Sequence, residues 1–421
     1  MSNLAVLGGA KIGDLNVPKW PIYDEREEKA IIEVLRSGKW AYRGPAELDF
    51  ERAFAEYTDA KYAVAVTNGT HTLRLLMEAY NIGPGDEVIV PGITWQATAA
   101  TVLDVNAVPI LVDIDEDNFN IDPKAIEAAI TSRTRAIMPV HLYGRMCDMD
   151  AIMDIAARYN LIVIEDCAHQ HGSRWRGVNA GLIGNAGSYS LQGSKVLNTG
   201  EGGLITTNDD NIHDLVQSLK NCGRASGESG LAMQSGNYRM TDFQSAIGLV
   251  QLSRLHEQDL IRDKNAKKLE SSLTNISGLK PQVQNPNVTF QTYYMWTLAY
   301  DKEQWRNVSK WGFIGALKAE VSDAFHVGST YVPLHRSNLY RPLSKKTHRL
   351  NEDYVNAINP SRFNLPVCDR VFEDVAICIG QPALLMDDSG IDKLVDIFNK
   401  LWDNIDELKI FDKDYVHVYQ D

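Results

Sequence analysis

The chain has 421 residues, 44% of them hydrophobic and 23% charged, enough for one large folded unit and a smaller one with packed interiors. A formal net charge of -13 argues against nucleic-acid binding, which draws on clustered Lys and Arg. There is no run of about 18 apolar residues to cross a membrane, and the opening MSNLAVLGGAKIGD lacks the basic start and long apolar stretch of a secretory leader.

In chain order, 62–67 (YAVAVT) reads as a strand, followed by a helix opening near Thr70. Further apolar runs bounded by Gly, Pro or acidic residues lie at 87–90 (EVIV), 108–113 (VPILVD), 136–140 (AIMPV) and 161–165 (LIVIE). Helical patterns at 122–130 and 149–159 separate them. Strand and helix alternating in this way build an α/β fold around a mostly parallel sheet, whose ligands collect outside the carboxyl ends of its strands. A long helical pattern covers 241–273, and the polar stretch 275–292 follows it. The domain change is placed there: 1–274 is a large domain including the N-terminal segment, and 275–421 a smaller C-terminal α+β domain whose tail, DKDYVHVYQD, is expected to be loosely held. The five cysteines form no C-x-x-C pair, which suits reduced thiols in a cytoplasmic protein and implies neither a disulfide frame nor a metal site.

Three features fall at strand ends, each with a plainer reading. Thr67-Asn-Gly-Thr70 opens a helix, where backbone N–H groups can hold a phosphate, Gly69 permits close approach and Thr70 adds a hydroxyl; the plainer reading is a helix cap. Asp166 closes the run LIVIE. A carboxylate there is costly unless a cation or strong donor meets it, and a protonated ring nitrogen would serve; otherwise it caps the next helix. Lys195 lies in SYSLQGSKVLNTGEGG and is either a solvent-facing loop lysine or a nucleophile whose pKa burial brings down towards roughly 7–8. A phosphate cradle, an acid for a pyridine nitrogen and a lysine for a Schiff base, in that order on such a sheet, are the parts pyridoxal 5'-phosphate needs.

The segments AVTNGTHTL, GDEVIVPGITWQATA, PVHLYGRMCDMD, VIEDCAHQHGS, SYSLQGSK, TGEGGLITT and GNYRMTDFQSAIGL resemble the DegT/StrS-type sugar aminotransferases, vitamin B6-dependent enzymes of the aspartate-aminotransferase fold (fold type I). The resemblance spans about residues 20 to 250 and continues less sharply through QTYYMW and STYVPLH. It implies that Lys195 carries the cofactor as a Schiff base and that Asp166 pairs with the pyridine nitrogen. It implies too that Trp95 stacks on the ring and that His169 sits beside the phenolic oxygen, where the plainer readings are a buried aromatic and a core histidine. Gly69, Thr70 and Ser190 would hold the phosphate, and Asn237 would reach the phosphate of a neighbouring subunit, making the active unit a homodimer. GEGG then reads as a turn supporting the lysine. Tyr331 and His335 match a region lining the acceptor site in relatives, or are a strand and turn with packed aromatics.

The activity implied is transfer of an amino group from glutamine or glutamate to a ketone in two half-reactions, with ping-pong kinetics. The segments VPKWPIYDEREEKAIIEVLRSGKW, SLQGSK and QTYYMW resemble scyllo-inosose aminotransferases and 3-amino-5-hydroxybenzoate synthases, which points to a keto-cyclitol or related keto-sugar acceptor of aminoglycoside-type antibiotic pathways. A nucleotide-linked keto-sugar is the alternative. A sugar dehydratase branch of the fold replaces the lysine with histidine, and a silent scaffold has no use for Lys195, Asp166 and Asn237 together.

Overall fold

The computed structural model describes residues 2–227 and 232–417. Its main sheet has seven strands: β1 (Tyr62–Val66), β2 (Glu87–Pro91), β3 (Val108–Val112), β4 (Thr134–Ile137), β5 (Ile162–Asp166), β6 (Ala186–Ser190) and β7 (Gly203–Thr207). They lie side by side in the order β1-β7-β6-β5-β4-β2-β3. β6, β5, β4, β2 and β3 pair in parallel, and β7 runs antiparallel to both of its neighbours. β2 and β3 are buried at every position, as expected of strands covered on both faces. The α/β architecture with a mixed, mostly parallel sheet is thus the one expected. β6 and β7 lie outside the five apolar runs read as strands: β6 is made of small and polar residues, and the glycines before β7 drew attention as a turn.

This topology brings the carboxyl ends of β1, β2, β5 and β6 to one edge. The parallel register sets Asp166 beside Ser188, two residues before the end of β6. The helix Gly69–Ala79 starts just after β1, capped by the Asn68 side chain, which accepts from His71 N–H.

A second, antiparallel sheet joins Leu279–Pro281, Met295–Tyr300, Ala376–Gly380 and Val327–Gly328. The helix Asp242–Ser272 links the two parts and begins with a capping box between Thr241 and Gln244. Its Leu252 and Leu255 pack in the first core, whereas Ala266 and Leu269 pack in the second. Leu4 and Leu15, placed with the large domain by sequence, also pack into the second core. Conversely, Tyr340, Tyr354, Ile358, Leu365 and Cys368 pack on the first core. Burial therefore sorts the chain by core across the sequence boundary at 274/275. Of the tail expected to hang loose, 412–421, the first three residues end the helix Ile405–Asp414, and His417 stacks on Trp311 at 3.8 Å between ring centroids. Its last residues, 418–421, lie outside the described residues. No helix among the described residues is long and apolar enough to cross a membrane.

Candidate active site

A cavity of about 1200 Å³ opens at the carboxyl edge of the sheet, between the two cores. Of the residues expected at the site, Gly69, Thr70, Trp95, Asp166, His169, Ser190, Lys195 and Tyr331 line it. Asn237 and His335 do not. Asn237 is exposed, bridges to Asn221 and accepts from the Arg239 N–H at 3.3 Å. His335 turns to Asp369, its Nε2 lying 3.3 Å from Oδ2, so the neighbours Leu334 and Ser337 line the cavity in its place.

Lys195 is 9% exposed, with its backbone N–H donating to the Gln192 carbonyl at 2.8 Å. Its Nζ lies 4.1 Å from the centroid of the Tyr294 ring. Burial brings the amine down to about 7, against a partial upward pull from the Asp166 charge. The loop behind it folds back on itself: Gly193 N–H donates to the Gly200 carbonyl and Leu191 N–H to that of Gly202, both at 2.8 Å. The Trp20 indole N–H closes on the Gly193 carbonyl at 3.1 Å.

Asp166, 6% exposed, accepts from the Ala168 N–H at 3.1 Å and from the Thr98 hydroxyl at 3.0 Å. Burial raises its carboxyl above the ordinary range in spite of these two donors. A carboxylate has room for about four donors, so this one is short of partners and fits a cationic N–H placed in the cavity. The alternative of a helix cap reduces to the turn bond from Ala168, since no helix follows.

His169 accepts the Tyr143 N–H at Nδ1, 3.1 Å away, which leaves its hydrogen on Nε2. Burial and the Lys195 charge hold it neutral, well below the ordinary histidine range. Its ring stacks on Tyr294 with centroids 4.1 Å apart. Trp95 is 46% exposed, so it is no ordinary core aromatic; its ring faces the cavity 5.8 Å from that of Tyr331. At the helix start, a Cβ on Gly69 would lie 2.7 Å from the Ser190 Cβ, so only glycine lets β6 approach the Gly69–Ala79 N-terminus. The free N–H groups of that first turn, with the Thr70 and Ser190 hydroxyls, form a fitting cradle for a phosphate.

Sequence reading missed Thr98, Tyr143, His171 and Tyr294. The His171 Nε2–H donates to the Ser190 carbonyl at 2.9 Å, and burial takes this imidazole down to about 3, so it stays neutral. Tyr143 offers its hydroxyl to the Tyr331 N–H at 2.9 Å and to Thr330. Tyr294 lay within the quoted QTYYMW, but nothing in that string tells which tyrosine turns inward. Behind the site, His141, Glu165 and Cys167 bring possible metal ligands within 4.8 Å of one another. Glu165 is nevertheless engaged by His141 Nε2 and by the N–H groups of Gly181, Ile183 and Gly184, so these groups serve to anchor a loop.

A buried amine and an under-partnered carboxylate at the carboxyl edge of such a sheet are what the site of an α/β enzyme offers. Residues 21–377 match the DegT/DnrJ/EryC1/StrS aminotransferase family; the chain belongs to it and is an aminotransferase. It is 37% identical over 406 residues to an L-glutamine:2-deoxy-scyllo-inosose aminotransferase of Streptoalloteichus tenebrarius, covering 92% of this chain and 95% of that protein. It is 38% identical to an L-glutamine:scyllo-inosose aminotransferase of Streptomyces griseus, covering 97% of this chain and 99% of that one. Among solved structures, 3-amino-5-hydroxybenzoic acid synthase superposes with a TM-score of 0.79 at 30% identity, covering 92% of this chain and 98% of that one.

Proposed function

We propose that the chain transfers the amino group of glutamine to the ketone of a free keto-cyclitol, with pyridoxal 5'-phosphate held in the cavity by the residues described. The observation that carries this reading is the convergence of Lys195, Asp166 and the Gly69 cradle on one cavity. Bound there, the cofactor would supply an aldehyde carbon to carry nitrogen and a ring that draws electrons from the donor's Cα. Gly69, Thr70 and Ser190 hold its phosphate. Trp95 would cover one face of the ring, and His169 would offer its Nε2–H to the phenolic oxygen. Asp166 keeps a proton on the ring nitrogen. Lys195 Nζ, titrating near neutrality, would hold the cofactor through its aldehyde carbon and, as a free amine, would take and return the proton at the donor's Cα. Glutamine leaves as a 2-oxo acid, and the nitrogen passes to the ketone in a second half-reaction, which gives ping-pong kinetics.

Two observations support a neutral polyol acceptor. The matched relatives from Streptoalloteichus tenebrarius and Streptomyces griseus are named for inosose substrates. In the cavity wall of the described residues, Lys195 and Lys318 are the lysines and arginine is absent, whereas a nucleotide diphosphate calls for several cationic donors. Burial, with Lys318 nearby, also holds His326 and His417 below the ordinary range. The nucleotide-linked keto-sugar stays as the second reading, because DesI, solved with its TDP-sugar product, superposes with a TM-score of 0.81 at 25% identity, covering 98% of this chain and 100% of that one. Asn237, turned away from its own chain's cavity, completes the site of a second copy, so the active unit is a homodimer in the cytoplasm. The test is the visible spectrum of the purified protein. A cofactor band that is lost in Lys195→Ala and bleaches on adding glutamine supports the reading. No band even after adding pyridoxal 5'-phosphate refutes it.

A further inference from the structure

Tyr294 grips two consecutive residues of the lysine loop from the far side of the cavity. Its hydroxyl lies 3.0 Å from Ser194 Oγ, and its ring face carries Lys195 Nζ at 4.1 Å from the centroid. Ser194 is held in turn, its Oγ donating to Gln192 Oε1 at 2.6 Å and its N–H to the same oxygen at 2.9 Å. The tyrosine is itself fixed. Its N–H donates to the Tyr143 carbonyl at 3.1 Å, its ring stacks on His169, and it is 8% exposed. Among the described residues no side-chain or backbone oxygen accepts a hydrogen bond from Lys195 Nζ, and the ring face of Tyr294 lies against it.

We propose that Tyr294 is a positioning residue for the reacting amine: its ring face is the seat that Lys195 Nζ occupies whenever the amine is free, and its hydroxyl locks the loop that carries it. The physical reason is electrostatic. Burial disfavours the ammonium, whereas the Asp166 charge and the negative face of the tyrosine ring favour it. Burial and the Asp166 charge bring the amine near neutrality, and the ring face adds to the support of its charged form, so that it can both take and give a proton. Without the ring, only the Asp166 charge is left to oppose burial, and the amine becomes a weaker base. A desolvated cation–π contact corresponds to about one pH unit.

This inference rests on Lys195 being the reacting amine, as proposed above. That assignment stands or falls on the visible band of Lys195→Ala, whereas the seat is read from the basicity of the amine. The experiment is competitive acetylation of the full chain stripped of cofactor, across a pH series, with the Lys195 peptide followed by mass spectrometry. In Tyr294→Leu the midpoint of Lys195 labelling is expected to fall by about one pH unit, and in Tyr294→Phe, which keeps the ring, to stay within about 0.3. Tyr294→Met, more adaptable in shape, repeats the test should leucine fail to fold. An unchanged midpoint in a folded variant without the ring overturns the proposal. So does a fall in Tyr294→Phe as large as that in Tyr294→Leu.

Discussion

Asp166→Asn separates the chemistry of the site from its architecture. The substitution keeps the shape of the side chain and its place beside the Thr98 hydroxyl and the Ala168 N–H, 3.0 and 3.1 Å away. It removes the negative charge that faces the cavity. A hydrogen-bonded pair between buried charges loses about 2–4 kcal/mol when one charge goes, or about 30- to 1000-fold in rate. Stability moves the other way. Burial raises the Asp166 carboxyl above its unfolded value of 3.8, so without the cofactor the ionised group weighs against the fold. The stability linked to its protonated form is fully present below pH 3.8 and is lost as pH rises through the higher folded value. The asparagine variant escapes that loss, so at pH 7 its cofactor-free form unfolds at the same urea concentration as the parent or a higher one. The assays are the rate of bleaching by glutamine in the loaded enzyme and urea unfolding of the cofactor-free chain. Bleaching within about threefold of the parent, or unfolding at clearly lower urea with the fall in rate explained by misfolding, refutes the reasoning.

Three further outcomes follow from the same geometry. Gly69→Ala puts a Cβ 2.7 Å from that of Ser190 and is expected to weaken pyridoxal 5'-phosphate binding at least about tenfold, read by fluorescence titration. With the Lys195 amine near 7 in place of the ordinary 10.5, capture of the cofactor by the cofactor-free chain rises about tenfold per pH unit below 7 and levels off above it. Stopped-flow absorbance checks this, and a rate still climbing through pH 9 contradicts it. Glu165→Gln puts an amide NH₂ where four donors converge and is expected to cost about 2–3 kcal/mol in urea unfolding.

Asp166 and Gly69 were legible in the sequence because each sits at or just beyond the end of an apolar strand, and a parallel sheet gathers such ends together; Lys195 stood out as the lone lysine of a small, glycine-rich segment, and Ser190 came from the family resemblance alone. Contacts that span the chain were not legible. Thr98 meets Asp166 across 68 residues and Tyr294 meets Ser194 across 100, and no local pattern announces either pair. The motif STYVPLH located the right wall but not the right side chain: Tyr331 faces the cavity, whereas His335 is drawn off to Asp369. The N-terminal residues went to the second core because Leu4 and Leu15 find a packed apolar surface there, and sequence order carries no sign of that surface.

The most direct test of the account is the fate of nitrogen from glutamine labelled with ¹⁵N at its α-amino group, offered together with scyllo-inosose, its 2-deoxy form and nucleotide-linked keto-sugars. The account predicts that the label appears in an aminocyclitol, and that Lys195→Ala abolishes the transfer. Label appearing only in a nucleotide-linked amino sugar would contradict the acceptor, and label appearing in no product would contradict the transamination itself.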